Sequence, residues 1–396
     1  MFRRFILSLV VAASVLVISC SDSESTKPAP NDSQAIQGEM DAVMTDVMTA
    51  PGSSALMNNM QVMDYLPFTF PAVPLKSIGA GLGDTGYSES KFLGEVFTKL
   101  FPSQNDATKQ DDHFIFSNWL GTYTFNDYIY DDYDNIVDAN WTIVEGGSNV
   151  TIIVPGAYTS DGKEFKMVIY NYTDEYIMWY YEDDPGYPYD DYFPTLMDME
   201  VFSAGTKVLD LDFTGDWQYM AAMDDVMPVE LSMTLTMTPF TFTVTYTNST
   251  PNILNYAVSL KENNVTRMSF DAILTFTDGT LEDISEVDLD YMFGIYLISF
   301  WTDVIATENL TESATLTMDE IVAELNTEEY MYCHIFENDV QIGRLKAKKV
   351  WDEYEWNEET QSEGNWVIAP YIEFNDGSTL DEEVLAGMLG DSGLGK

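Results

Sequence analysis

The sequence predicts a mainly β protein, with antiparallel meanders closed as barrels or packed as sandwiches behind a short helical N-terminal region. Three observations carry that prediction. From about Asp111 onward, apolar and polar residues alternate in runs such as TYTFNDYIY, NVTIIV, FKMVIYNYT, YIMWYY, LSMTLTM, FTFTVTYT, MSFDAILTF and WVIAPYIEF. A period of two turns one face of each run to a core and the other to water. The runs are rich in Thr, Tyr, Phe, Val and Ile, whose branched or aromatic side chains suit a pleated surface. Finally, Asp-Gly pairs at Asp161-Gly162, Asp278-Gly279 and Asp376-Gly377 supply the positive φ angles of tight hairpins.

Composition bounds the rest. A chain of 396 residues, 45% hydrophobic, can bury a sizeable core and divide into two or three domains. Its 66 acids against 17 bases give a net charge of -49. Such a surface repels phosphate backbones, which excludes nucleic acid as a partner. It also repels an anionic bilayer, so membrane attachment needs something other than a basic patch. The acids are spread along the whole chain, as for a solvated surface in a salty medium.

The chain opens MFRRFILSLVVAASVLVISCSDSES. Arg3 and Arg4 form a basic region, and Phe5 to Ser19 an apolar stretch of about fifteen residues, short for a membrane span and usual for a signal peptide. The stretch ends in Val17-Ile18-Ser19-Cys20, which resembles the lipobox of bacterial lipoproteins. That resemblance implies cleavage before Cys20, acylation of Cys20 and a bilayer as partner. It further implies an envelope location at the outer rather than the inner membrane, because Ser21 and not Asp follows the cysteine. The acidic SDSES run resembles the surface-export signals of some Bacteroidetes lipoproteins.

After the leader (1–19), residues 20–38 read as a Ser/Pro/Asp tether reaching roughly 20–25 Å. A helical region (39–103) follows. Met40, Val43, Met44, Val47 and Met48 fall on one helical stripe that ends at Pro51-Gly52, and a second helix is predicted from Ser88 to Phe101. Between them, GAGLGDTG matches a dinucleotide fingerprint, but proline-rich FPAVPLKSI precedes it and no βαβ alternation continues, so it reads as a turn. Three β modules are expected at 104–205, 206–310 and 311–396, with short helices near Met318–Leu325 and Glu382–Met388. Gly121-Thr-Tyr123 and Gly215-Asp-Trp217 each open a strand-rich stretch. The second resembles the G-x-W of lipocalin-like barrels, whose ring plugs the barrel floor. MFGIYLISFW (Met292–Trp301) reads as one buried strand.

Candidate sites follow from residue clustering. Tyr180 to Phe193, YYEDDPGYPYDDYF, holds six aromatic rings and five carboxylates. Pro185, Gly186 and Pro188 predict a loop there. Tyr180, Tyr181, Tyr187, Tyr189, Asp190, Asp191 and Tyr192 are its candidate ligand residues, because rings stack on sugar faces and carboxylates accept hydroxyl hydrogen bonds. Calcium is the one cofactor the composition suggests. Asp131, Asp132, Asp134 and Asp138 are candidate ligands, and Asp210, Asp212 and Gly215 copy the start of a calcium loop. Cys333 shares a strand face with Met331 and Ile335, as a buried, inert thiol would. Arg344, Lys346 and Lys348 share a face, and the acids of WDEYEWNEE are expected to pair with them across strands.

No catalytic motif is present: no H-E-x-x-H, G-x-S-x-G, P-loop or paired-cysteine spacing, and only His113 and His334 as histidines. The expectation is a non-catalytic, lipid-anchored binding or scaffolding protein, with a glycan as ligand. The alternatives are an assembly component that binds another envelope protein, and an enzyme whose site follows no known motif.

Overall fold

The computed structural model describes residues 42, 45–46, 49–57, 59, 114–131, 133, 135–180, 188–220, 225–250, 252–277, 284–357, 362–375, 377 and 379–381. Cys20, the GAGLGDTG turn, the helix expected at 88–101, the fragment at 382–388 and His113 lie outside them.

Among the described residues, sixteen strands form a single sheet. The first eight are β1 (Gly121–Tyr130), β2 (Ile136–Glu145), β3 (Val150–Val154), β4 (Phe165–Tyr180), β5 (Pro188–Ser203), β6 (Thr206–Met220), β7 (Asp225–Met237) and β8 (Phe240–Thr250). The rest are β9 (Ile253–Glu262), β10 (Val265–Phe276), β11 (Ile284–Phe293), β12 (Tyr296–Asp303), β13 (Met331–Glu337), β14 (Val340–Asn357), β15 (Ser362–Phe374) and β16 (Thr379–Asp381). From β3 to β16 each strand pairs with the next in an antiparallel meander. At the other end β1 lies parallel to β3, which leaves β2 at the edge. β5 pairs with β6 across the expected module boundary at 205/206, and β12 with β13 across the one at 310/311, which falls in the helix Val304–Thr311.

Alternation builds the core. Phe270, Ala272 and Leu274 on β10 and Val287, Leu289 and Tyr291 on β11 are all buried, while the residues between them face water. The same pattern runs from Phe125 to Phe374 as one connected core. Side chains buried on a sheet face need cover. Helix α1 (Pro51–Met57) supplies it over β5–β7, and α2 (Val304–Thr311) and α3 (Met318–Leu325) supply it over β11, β12 and β14. The α1 contact is close because a Cβ at Gly52 would lie 2.5 Å from the Val208 carbonyl oxygen.

Several elements differ from the sequence reading. Ala42, Thr45, Asp46 and Thr49 are helical, but Pro51 starts a second helix rather than ending the region, since proline fits the first helical turn. FKMVIYNYT and YIMWYY are one 16-residue strand, β4. MFGIYLISFW is two strands folded at Gly294-Ile295, with Ile295 exposed. Gly215 lies inside β6 instead of opening a module. Asp161-Gly162 sits in a longer connection between β3 and β4. Gly377 takes a positive φ of 84° in the short connection from β15 to β16, and Asp278-Gly279 lies outside the described residues. Further tight hairpins are at Ala204-Gly205 (φ 50° and 78°), Asn263-Asn264 (49° and 67°) and Asn338-Asp339 (48° and 64°), where both central residues take the positive φ of a primed turn. Helix α3 spans its expected residues, with Thr317 and Glu320 forming a capping box.

Cys333 is buried on β13 between Met331 and Ile335, and burial pushes its thiol up to about 12. In a Cys20→Ser chain this thiol should resist a maleimide in the native state and react fully in denaturant. Rapid native labelling would show that β13 turns its other face inward.

Candidate functional site

The tyrosine-rich segment folds differently from the expected loop. Pro188 to Phe193 belong to β5 and pair with β4, Tyr189 opposite Trp179, Asp190 opposite Met178 and Asp191 opposite Ile177. Pro188 is the first residue of the strand, where its missing N–H costs no ladder bond. Tyr192 packs on Tyr176 with ring centroids 5.2 Å apart. Tyr180 ends β4, and Tyr181 and Tyr187 lie outside the described residues. The segment is therefore the end of a long hairpin, with its described tyrosine paired across strands.

The calcium candidates also have local explanations. Asp131 accepts hydrogen bonds from the Tyr133 and Asn135 backbone N–H groups and from the Asn135 side chain. The Asn135 bonds come first in holding its carboxyl below the usual carboxylate range. Asp138 accepts from the Ala139 N–H within β2, and Asp132 and Asp134 lie outside the described residues. Asp210 and Asp212 are on strand β6 rather than in a loop, opposite Glu200 and Asp198 of β5. Lys207 bridges Glu200 and Asp210 at 2.9 and 2.8 Å. Among the described residues, no three His, Cys, Asp or Glu side chains are grouped to hold a metal ion.

The basic face pairs differently from expectation too. Trp351 to Asn357 continue β14 itself, so the acids among them cannot lie across from Arg344, Lys346 and Lys348. Arg344 meets Glu373 of β15 at 3.2 Å instead, and the Lys348 ammonium lies 5.1 Å from the Tyr371 ring centroid.

Register brings together a group that no single segment reveals. On the outer face of β10–β13, Asp271 stands opposite Asp290, Asp290 opposite Ser299, and Ser299 opposite His334. One step along, Asp288 stands opposite Trp301, and Trp301 opposite Tyr332. Trp301 and Tyr332 are nearly parallel (centroids 5.9 Å, planes 24°), as are Tyr332 and His334 (4.9 Å, 16°). The column is held at both ends. Trp301 Nε1 donates to Glu286 at 2.6 Å, and His334 Nε2 lies 3.2 Å from Glu328.

Asp271, Asp288 and Asp290 are exposed and have no basic partner among the described residues. Partial burial and then the Asp290 charge push the Asp271 and Asp288 carboxyls up. Burial, Asp288 and Asp290 likewise push the Tyr332 phenol up. Like charges directly opposite on a sheet cost roughly 0.2–1 kcal/mol per pair, so this face is not arranged for stability alone.

Ser299, His334 and Glu328 are residue types of an acyl-transfer relay. Here, however, the Ser299 hydroxyl engages Tyr332 and the His334 nitrogen turns to Glu328. The strand amides around them belong to the ladder, which leaves no oxyanion donors beside Ser299. The face offers ring surfaces and anionic acceptors, a combination suited to holding a ligand.

No family model matches the chain, and no curated protein matches it. A crystal structure of a porin-like protein from Bacteroides vulgatus is 9% identical, with 64% of this chain and 89% of that chain covered at a TM-score of 0.14. A superposition that poor carries no argument about fold or function.

Proposed function

We propose that the chain is a non-catalytic binding protein of the bacterial cell envelope. Acyl chains on Cys20 hold it to the outer membrane, and it binds a glycan on the outer face of β10–β13. The observation that carries this reading is the ring column Trp301, Tyr332 and His334 beside Asp271, Asp288 and Asp290, carboxylates without basic partners among the described residues. Sugar C–H faces stack on aromatic rings, and sugar hydroxyls donate to carboxylates. The location rests on the lipobox and the charge balance.

Titration with envelope and environmental polysaccharides, followed by tryptophan and tyrosine fluorescence, should give a saturable change. Trp301→Ala combined with Tyr332→Ala should weaken binding roughly tenfold or more, at about 0.5–1.5 kcal/mol per ring contact. Both side chains are on the wet face, so the circular dichroism should be unchanged. A response that survives this pair but is lost with Tyr187→Ala and Tyr189→Ala would move the site to the hairpin end. No response to any polysaccharide would overturn the glycan reading.

A further inference from the structure

We propose that the ligand of the β10–β13 face is an amino-sugar glycan with free, protonated amines, and that Asp271, Asp288 and Asp290 select it by charge. The inference rests on the glycan reading above and adds the chemical class of the sugar. Register divides the face into two halves. β12 and β13 carry the rings, Trp301 opposite Tyr332. β10 and β11 carry the carboxylates, Asp271 opposite Asp290, with Asp288 opposite Trp301 at the boundary. Neighbouring strands lie roughly 4.8 Å apart, so a sugar oligomer laid across them meets rings and carboxylates together.

The bases of this face are committed elsewhere. Asp271, Asp290, Ser299, His334 and Arg344 stand in one cross-strand row. In it His334 turns to Glu328 and Arg344 to Glu373, each at 3.2 Å. Glu286 is taken as well, by the Trp301 indole N–H. The remaining cross-strand neighbours are uncharged, Ala257 beside Asp271 and Ile273 beside Asp288. All three aspartates are exposed to solvent, so a ligand reaches them directly.

The charge of the ligand then decides what the carboxylates do. An acidic glycan adds like charge to theirs. A neutral sugar donates hydroxyl hydrogen bonds but leaves Asp271 and Asp290 opposed. An ammonium donates charge-assisted bonds, roughly twice as strong as neutral ones, and neutralises the opposed pair. It is also attracted to the electron-rich faces of indole and phenol rings, which supply the other half of the site. Partial burial and then the Asp290 charge push the Asp271 and Asp288 carboxyls up, and a bound ammonium offsets that push.

The test uses full-length chain carrying Cys20→Ser, with a calcium chelator present and at a pH where sugar amines are protonated. A glucosamine tetramer and its fully N-acetylated counterpart are titrated in parallel by tryptophan fluorescence and calorimetry. The free-amine tetramer should bind at least about tenfold more tightly, with the preference shrinking as salt screens the charges. Asp288→Asn combined with Asp290→Asn should cut that preference to about twofold or less. The urea midpoint of this variant should be no lower than wild type, because opposed like charges are removed. Equal affinity for the two tetramers would overturn the inference and leave the glycan reading standing. Binding of another polysaccharide but of neither tetramer would do the same. A lysine tetrapeptide that binds as tightly as the amino sugar would also overturn it, since charge capture would then need no sugar. No binding of any glycan would overturn the glycan reading itself, and the inference with it.

Discussion

Replacing Trp217 with alanine should lower the unfolding free energy by about 3–5 kcal/mol, the usual cost of emptying a buried indole site. Trp217 is 4% exposed, and its ring centroid is 5.4 Å from that of Phe193. Its Nε1 donates to the Pro194 carbonyl at 2.8 Å, tying β6 to β5 where the β4–β5 register slips between Thr173 and Asp174. Removing the indole leaves a void and strips a buried carbonyl of its donor, two separate costs. Gly215 belongs to the same device: a Cβ there would stand 2.7 Å from the indole nitrogen and 3.0 Å from the Pro194 oxygen. Gly215→Ala should thus break the bond while keeping the ring, at roughly 1–3 kcal/mol. Urea unfolding checks both through a lower midpoint at unchanged slope. A Trp217→Ala midpoint equal to wild type would mean that the ring is not packed between β5 and β6.

The lipocalin-like hint drew on the same residues, and the comparison shows how far a short motif reaches. Gly215 and Trp217 do act together, as the spacing suggested. Their work is to pin two neighbouring strands in mid-sheet, with the glycine ten residues into β6. Strands were legible because each carries its own alternation: Phe270, Ala272 and Leu274 declare the buried face of β10 with no knowledge of β11. Turns were less legible. Asn263-Asn264 and Asn338-Asp339 bend as tightly as Asp-Gly, because asparagine and aspartate also tolerate positive φ. Pro188 marked a loop in the sequence, but it is tolerated as the first residue of a strand. That single position moved half of the tyrosine-rich segment from loop to ladder.

The ring-and-carboxylate face was hidden for a different reason. Glu286, Asp288 and Asp290 alternate with buried Val287, Leu289 and Tyr291, so the sequence does show an acidic wet face on one strand. YMYCHIF likewise puts Tyr332 and His334 opposite Cys333. What it does not show is that one turn and a helical excursion place Asp288 level with Trp301 and Tyr332. That is a statement of register, and a shift of one residue would send every side chain to the other face. Local clustering favoured the tyrosine-rich hairpin end, whereas the sheet assembles its exposed rings and acids from strands separated by α2 and α3.

Replacing Cys20 with alanine should release the protein from the membrane, because the proposed anchor is the lipid on that residue. No helix among the described residues is long and apolar enough to cross a bilayer. The described strands turn an apolar face to the buried core, and the opposite face carries Asp198, Asp212, Asp271, Asp288 and Asp290. A net charge of -49 repels anionic headgroups. In the proposed arrangement the lipid supplies the attachment. One acyl chain binds a bilayer only reversibly, with a constant of about 10⁴ M⁻¹, whereas each further chain adds about 0.8 kcal/mol per buried methylene. The multi-chain anchor implied by the lipobox is stable, and its loss is all-or-none. Wild-type protein should partition into the detergent phase, with an intact mass showing diacylglycerol and an acyl chain on Cys20. The Cys20→Ala chain should appear in the aqueous phase or as an uncleaved precursor. Its sheet should be intact by circular dichroism, since Cys20 lies outside the described core. A wild-type N-terminus without lipid would sink the anchor, and would leave the face of β10–β13 as a binding surface in search of another address.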